Sequence, residues 1–198
     1  MGSRGFAATE PRSARTALPR AIHVLDAAAR DACLCHAGSA APLIAVGRYG
    51  IKRHVLVPGF ALLWVLGRSQ GRARLAAAGR AGVVGLTGTA LVVSALKLAF
   101  RRERPGDCGD PGCWGGSLGC RSFPSGHAGS AFAAATAIAA LGEDPALAGA
   151  LYASAAILSA TRMLCDRHWL SDVVVGGVIG AAVTAGAQAA MKPAPDGR

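Results

Sequence analysis

From Ala81 to Phe100 the chain carries a single charged side chain, Lys97. At 1.5 Å per residue a helix over this stretch is about 30 Å long, the thickness of a bilayer's hydrocarbon core. In that solvent every backbone N–H and C=O must be satisfied within the segment, so the stretch has to be helical. Gly82, Gly85, Gly88 and Ala90 punctuate it and permit close contact with other helices. Apolar stretches recur at 54–67, with an internal Pro58-Gly59 that a membrane helix tolerates, and at 125–141, 146–161 and 172–190. Composition agrees, with 52% of the 198 residues hydrophobic and 16% charged. Mean hydropathy is +0.38, high for a soluble globular domain. The expected fold is all-α, a polytopic membrane helical bundle of five to six transmembrane helices.

Residues 20–36 place Ile22, Leu25, Ala29 and Cys33 at helical spacing, with Asp26, Arg30 and Asp31 toward the other side. That pattern is an amphipathic helix, lying in the interface or crossing as a tilted span. The expected organisation is a disordered basic N-terminus at 1–19, an amphipathic or first membrane helix region at 20–50, a membrane core at 51–191 and a C-terminal tail at 192–198. No compact apolar region with a small-residue cleavage site opens the chain, so no cleaved signal peptide is expected. The net charge of +10 raises nucleic acid as a partner. The arginines, however, cluster beside apolar segments and lack interleaved aromatics, which argues against nucleic acid. Anionic headgroups and membrane orientation account for the charge.

The basic loop expected at 68–80 (Arg68, Arg72, Arg74, Arg80) and the tail with Lys192 and Arg198 fall on one side of the membrane if the spans alternate. The segments 101–123 and 162–171 then meet on the other side. Arginines kept on that trans side, at 101, 102 and 104, suggest an anionic ligand there.

Three polar stretches meet at this face. Lys97, Arg101 and Arg104 are spaced i, i+4 and i+7, one face of a continuing helix, and Pro105 stops that helix. Such cations also occur as snorkelling anchors of a helix end. Pro124-Ser125-Gly126-His127 reads as a helix start, with Ser125 as N-cap and Gly126 leaving the free N–H groups open to an anion. The plain alternative is an ordinary cap with a wet histidine. His168 and Asp172 are spaced i, i+4, so the carboxylate can accept the Nδ1–H and leave Nε2 as a nucleophile or base. Arg162 stands six residues before His168, at the end of the preceding span. A surface His–Asp pair worth about 0.5 kcal/mol is the competing reading.

In order and spacing, Lys97-x6-Arg104-Pro105, Pro124-Ser125-Gly126-His127 and Thr161-Arg162-x5-His168-x3-Asp172 resemble the tripartite signature of the type 2 phosphatidic acid phosphatase superfamily, in its bacterial integral-membrane branch. Thr161 stands where that signature usually has Ser. The resemblance implies a lipid phosphatase at the extracytoplasmic face of a bacterial inner membrane, with a membrane lipid phosphate as substrate. By it His168 is the nucleophile that forms a phosphohistidine, Asp172 orients it, and His127 protonates the leaving oxygen and then activates water. Lys97, Arg104, Arg162, Ser125 and Gly126 hold the phosphate oxygens. Three fixed cations supply what Mg²⁺ supplies to other phosphoryl transfers, so neither a metal nor another cofactor is expected.

Of the six cysteines, Cys108, Cys113, Cys120 and Cys165 fall on the active face. That compartment is oxidising in many bacteria, and at least one disulfide is expected among them, with the pairing open. Zinc is the lesser reading because no Cys-x2-Cys pair occurs. A lipid phosphotransferase using the same phosphohistidine step, and a non-catalytic membrane transporter or structural protein, are the other functions weighed.

Overall fold

A computed structural model describes residues 19–191 apart from 39, 51 and 143. The expectations for 1–18 and for the tail at 192–198 lie outside the described residues. The helices are α1 (Arg20–His36), α2 (Ala41–Gly50), α3 (Arg53–Ser69), α4 (Ala73–Phe100), α5 (Pro105–Cys108), α6 (Gly126–Ala139), α7 (Pro145–Leu164) and α8 (Leu170–Ala190). No strand occurs among the described residues.

Three stretches hold helices long and apolar enough to cross a membrane, namely Ala73–Cys108, whose long helix is α4, Pro145–Leu164 and Leu170–Ala190, with hydropathies of 1.8, 1.3 and 1.7. Leu91 and Val178 point outward from them, 74% and 63% exposed, as side chains covered by lipid would. The fourteen-residue α6 is only about 21 Å long. It lies inside the bundle against α4, α7 and α8, with Ala128, Ala131, Ala133, Ala135 and Ala137 buried.

The basic loop expected at 68–80 is a correction. The helix α4 already begins at Ala73, which leaves a tight turn around 70–72. Ala73, Leu75, Ala76, Ala77 and Ala78 favour helix strongly, and contact with α3 locks them in place. A Cβ on Gly79 would fall on the Trp64 backbone, so the two backbones touch. Arg80 donates to the Met191 carbonyl at 3.2 Å, tying the start of α4 to the end of α8. The turn at 70–72, Ala140, Leu141 and Met191 therefore share one end of the bundle, and the three polar stretches share the other.

Glycines set the spacing at the α6–α8 contact. A Cβ on Gly180 would run into the Gly129 backbone, and one on Gly176 into the Ser125 backbone. On the outside, α1 sits against the tips of α7 and α8. Its expected amphipathic faces are partly reversed. Val24 and Leu25 point outward, 62% and 59% exposed, while Asp26 is 1% exposed and Arg30 turns inward to the Asp166 carboxylate at 2.7 Å. Inward carboxylate and guanidinium groups are tolerated there because opposite charges meet them.

Candidate active site

The first polar stretch is not the continuous helix face that the spacing predicts. The helix α4 ends at Phe100, and Arg101 takes the left-handed conformation at φ 45°, ψ 46°. Arg104 is extended at φ −81°, ψ 155°, as the residue before a proline prefers, and Pro105 opens the short α5. Lys97, Arg101 and Arg104 thus leave the chain in different directions. The Lys97 ammonium donates to the carbonyls of Arg121 and of Ser122, the latter at 3.2 Å, tying α4 to the strand of chain entering the second stretch. That strand is also held by the Ser122 N–H on the Arg102 carbonyl at 2.9 Å.

Ser125 is the N-cap of α6 and its hydroxyl accepts from the Ala128 N–H at 3.4 Å. It is fully buried, and its own N–H donates to the Asp172 carbonyl at 2.8 Å. The second stretch is therefore bonded directly to the third. Gly126 is open, since a Cβ there would meet only Val93 at 3.7 Å and the Arg53 guanidinium at 4.0 Å. His127, half-buried in the first turn, lies within electrostatic reach of Arg162, His168, Arg53 and Lys97.

The third stretch begins in the last turn of α7 with Arg162. The Thr161 hydroxyl donates back to the Leu158 carbonyl of its own helix at 2.6 Å. Arg104, His127 and Arg162 line one cavity of about 610 Å³, together with Ile44, Lys52, Leu164, Cys165 and Arg167. No acidic residue is among these. His168 lies in the α7–α8 connection, 7% exposed, with Nδ1 3.4 Å from Asp172 Oδ2. That is a long hydrogen bond. Burial pushes the His168 imidazole below its ordinary pKa, against the raising pull of the Asp172 carboxylate and with smaller lowering effects of Lys97 and Arg162. The ring is accordingly neutral near pH 7, and with Nδ1 turned to Asp172 the lone pair falls on Nε2.

Asp172 is held from three sides. Its Oδ2 accepts from the Trp169 N–H at 3.0 Å and from the Ser122 hydroxyl, and Oδ1 accepts from Arg102 Nη1 at 2.6 Å. Sequence spacing missed Arg102, Ser122 and Asp26. Arg102 is 0% exposed, and nothing in the run Arg101-Arg102-Glu103-Arg104 marks it as the inward one. Asp26, which the amphipathic pattern sets on the outward side of α1, is buried instead.

Cys108 and Cys113 form a disulfide, while Cys120 and Cys165 carry free thiols and so lie outside the expected bridge. The described residues contain one group of three potential metal ligands, Glu103, Cys108 and Cys113, within 4.8 Å of one another. Its two sulfurs are bonded to each other, which removes the thiolates a metal would need.

A family model described as the PAP2 superfamily matches residues 79–194, more than half of the chain. No curated protein sequence matches. Among solved structures, the crystal structure of LpxE from Aquifex aeolicus shares the fold with a TM-score of 0.55. It is 23% identical, and the similarity covers 72% of this chain and 81% of that one.

Proposed function

The chain belongs to the PAP2 superfamily, and from that membership and the geometry of the site we propose that it hydrolyses a membrane lipid phosphate or diphosphate through a phosphohistidine. The observation that carries the reading is the cavity lined by Arg104, His127 and Arg162; His168 is not in its lining but lies within electrostatic reach of His127 and is backed by a fixed Asp172. Phosphoryl transfer needs the spread negative charge of the phosphoryl oxygens stabilised and its reactants aligned. Arg104 and Arg162 supply charge at the cavity wall, and Lys97 supplies it from the end of α4. The His168 Nε2 lone pair attacks phosphorus. Burial and the cations around it hold the His127 pKa down to about 4, so His127 takes up its proton once the negative phosphate offsets those cations, and it gives that proton to the departing lipid oxygen. His127 then takes a proton from the water that releases phosphate. Because these cations already sit in place, the reaction runs without a divalent metal.

The site lies at one end of a bundle with lipid-facing helices, which suits a substrate whose phosphate is at the membrane surface and whose chains are in the bilayer. Prenyl diphosphate, phosphatidic acid, phosphatidylglycerophosphate and a lipid A phosphate are the candidates, at the outer face of a bacterial inner membrane. Phosphate release from this panel by the detergent-solubilised protein is the test. Release should persist in EDTA and vanish in His168→Ala. Activity lost in EDTA and restored only by Mg²⁺ would remove the metal-independent mechanism, and an active His168→Ala would remove the nucleophile.

A further inference from the structure

Asp26 lies on α1, outside the residues 79–194 that match the family, yet it is joined to the site through buried charges. Its Oδ2 accepts from Arg102 Nη2 at 2.7 Å, while Arg102 Nη1 reaches Asp172 Oδ1 at 2.6 Å. The three side chains are 1%, 0% and 0% exposed. Ser171 closes the loop, its N–H and hydroxyl donating to Asp26 at 2.8 and 2.7 Å and its hydroxyl also accepting from Arg102 Nη1 at 2.8 Å. Trp114 and Trp169 lie against the guanidinium at 4.6 and 5.3 Å to the ring centres. A buried ion pair of this kind is costly to build and often replaceable by apolar packing, so its charge balance invites a functional account.

Arg102 and Asp172 alone would form a neutral pair beside His168. With Asp26 added, the buried triad carries one net negative charge, next to the ring that must become cationic. In the transfer, Nε2 of the neutral imidazole forms the N–P bond. The P–O bond to the lipid breaks, its electron pair leaves on the oxygen protonated by His127, and Nδ1 keeps its proton, so the ring gains one positive charge. We infer that Asp26 is a positioning residue for this step: by sharing the Arg102 guanidinium it leaves Asp172 the negative charge and the geometry to support a cation on His168. The inference rests on the phosphatase reading above.

Asp26→Asn in the full-length protein is the test, since it keeps the shape and an acceptor for Ser171 and removes one charge. The groups facing His168 stay in place: Lys97 on α4, His127 on α6, Arg162 on α7 and Asp172 on α8. A fall in kcat of about tenfold or more, with KM within about twofold, is expected for a group that supports the transition state. With one negative charge lost, the ring is harder to protonate, so the acid limb of the kcat/KM profile moves to lower pH. Arg30→Gln loosens α1 from Asp166 without changing the triad, and it should not move that limb downward. Asp26→Glu keeps the charge; it should hold the limb near its wild-type position with kcat above that of Asp26→Asn, and it serves if Asp26→Asn does not fold. Wild-type kcat in Asp26→Asn, activity lost with an unmoved acid limb, or Asp26→Glu no better than Asp26→Asn overturns the proposal. His168→Ala in the same series separates the two readings. If it is inactive while Asp26→Asn behaves as wild type, only the role of Asp26 fails. If it stays active, the phosphatase reading fails with it.

Discussion

Gly176→Ala should damage catalysis by pushing on the Ser125 backbone, with every catalytic side chain left in the sequence. A Cβ at this position would lie 3.1 Å from both the backbone carbon and the backbone nitrogen of Ser125, and closer still to its carbonyl oxygen. Carbon contacts settle near 3.5–4.0 Å, so the start of α6 must move off α8 by about half an ångström or more. Neither side can give cheaply. The Ser125 N–H is bonded to the Asp172 carbonyl at 2.8 Å, and Gly180 holds α8 against Gly129 one turn further along. Overpacking of this kind costs about 1–3 kcal/mol of stability. Because the displaced turn carries His127 and the displaced partner carries Asp172, misalignment should lower kcat by about ten- to a hundredfold. The assay is phosphate release by purified protein in detergent, normalised to the folded fraction from a thermal melt. Gly149→Ala is the reference, since a Cβ there meets nothing within 4 Å and should add up to about 1 kcal/mol of stability. If folded Gly176→Ala turns over as fast as Gly149→Ala, the close seating of α6 on α8 does not build the site.

Three further outcomes are expected. Because burial lowers the His168 pKa, the nucleophile stays unprotonated as pH falls through 6.5, the ordinary imidazole value, so the acid limb of kcat/KM should lie below it; a limb above 6.5 contradicts the burial argument. Arg102→Ala leaves Asp26 and Asp172 as unpaired buried carboxylates and should cost about 3–5 kcal/mol, read as a loss of folded protein in detergent; a melt within about 1 kcal/mol of wild type would show that the triad is not a closed ion pair. Thiol titration of the denatured, unreduced protein should find Cys33, Cys35, Cys120 and Cys165 and miss Cys108 and Cys113 until reductant is added; six reactive thiols before reduction would remove the bridge.

The apolar stretch from Ala81 to Phe100 and the glycines of α8 were readable because membrane helices have length and small-residue rules that act locally. The placement of His127 in the first turn of α6, of Arg162 in the last turn of α7 and of His168 beside Asp172 was readable as well, since helix capping and i, i+4 spacing are properties of a few neighbouring residues. Two features were not. The chain turns at Arg101 because Pro105 and the buried Arg102 partners outweigh the helical pattern of Lys97, Arg101 and Arg104. The inward turn of Asp26 depends on Arg102, which is distant in sequence and reaches α1 only through the folded loop. A hydrophobic pattern places Leu25 inward, and a buried guanidinium that needs a second carboxylate reverses it. The start of α4 at Ala73 was hidden by arginines that look like a loop and instead ride on a helix.

Transfer of the phosphoryl group to His168 is read by rapid acid-free quench of the protein reacting with a phosphorus-labelled lipid phosphate, followed by peptide mapping. The expected result is a base-stable, acid-labile label on the peptide containing His168, absent from His168→Ala. Phosphate release at the wild-type rate with no labelled histidine, or label on another residue, would contradict it.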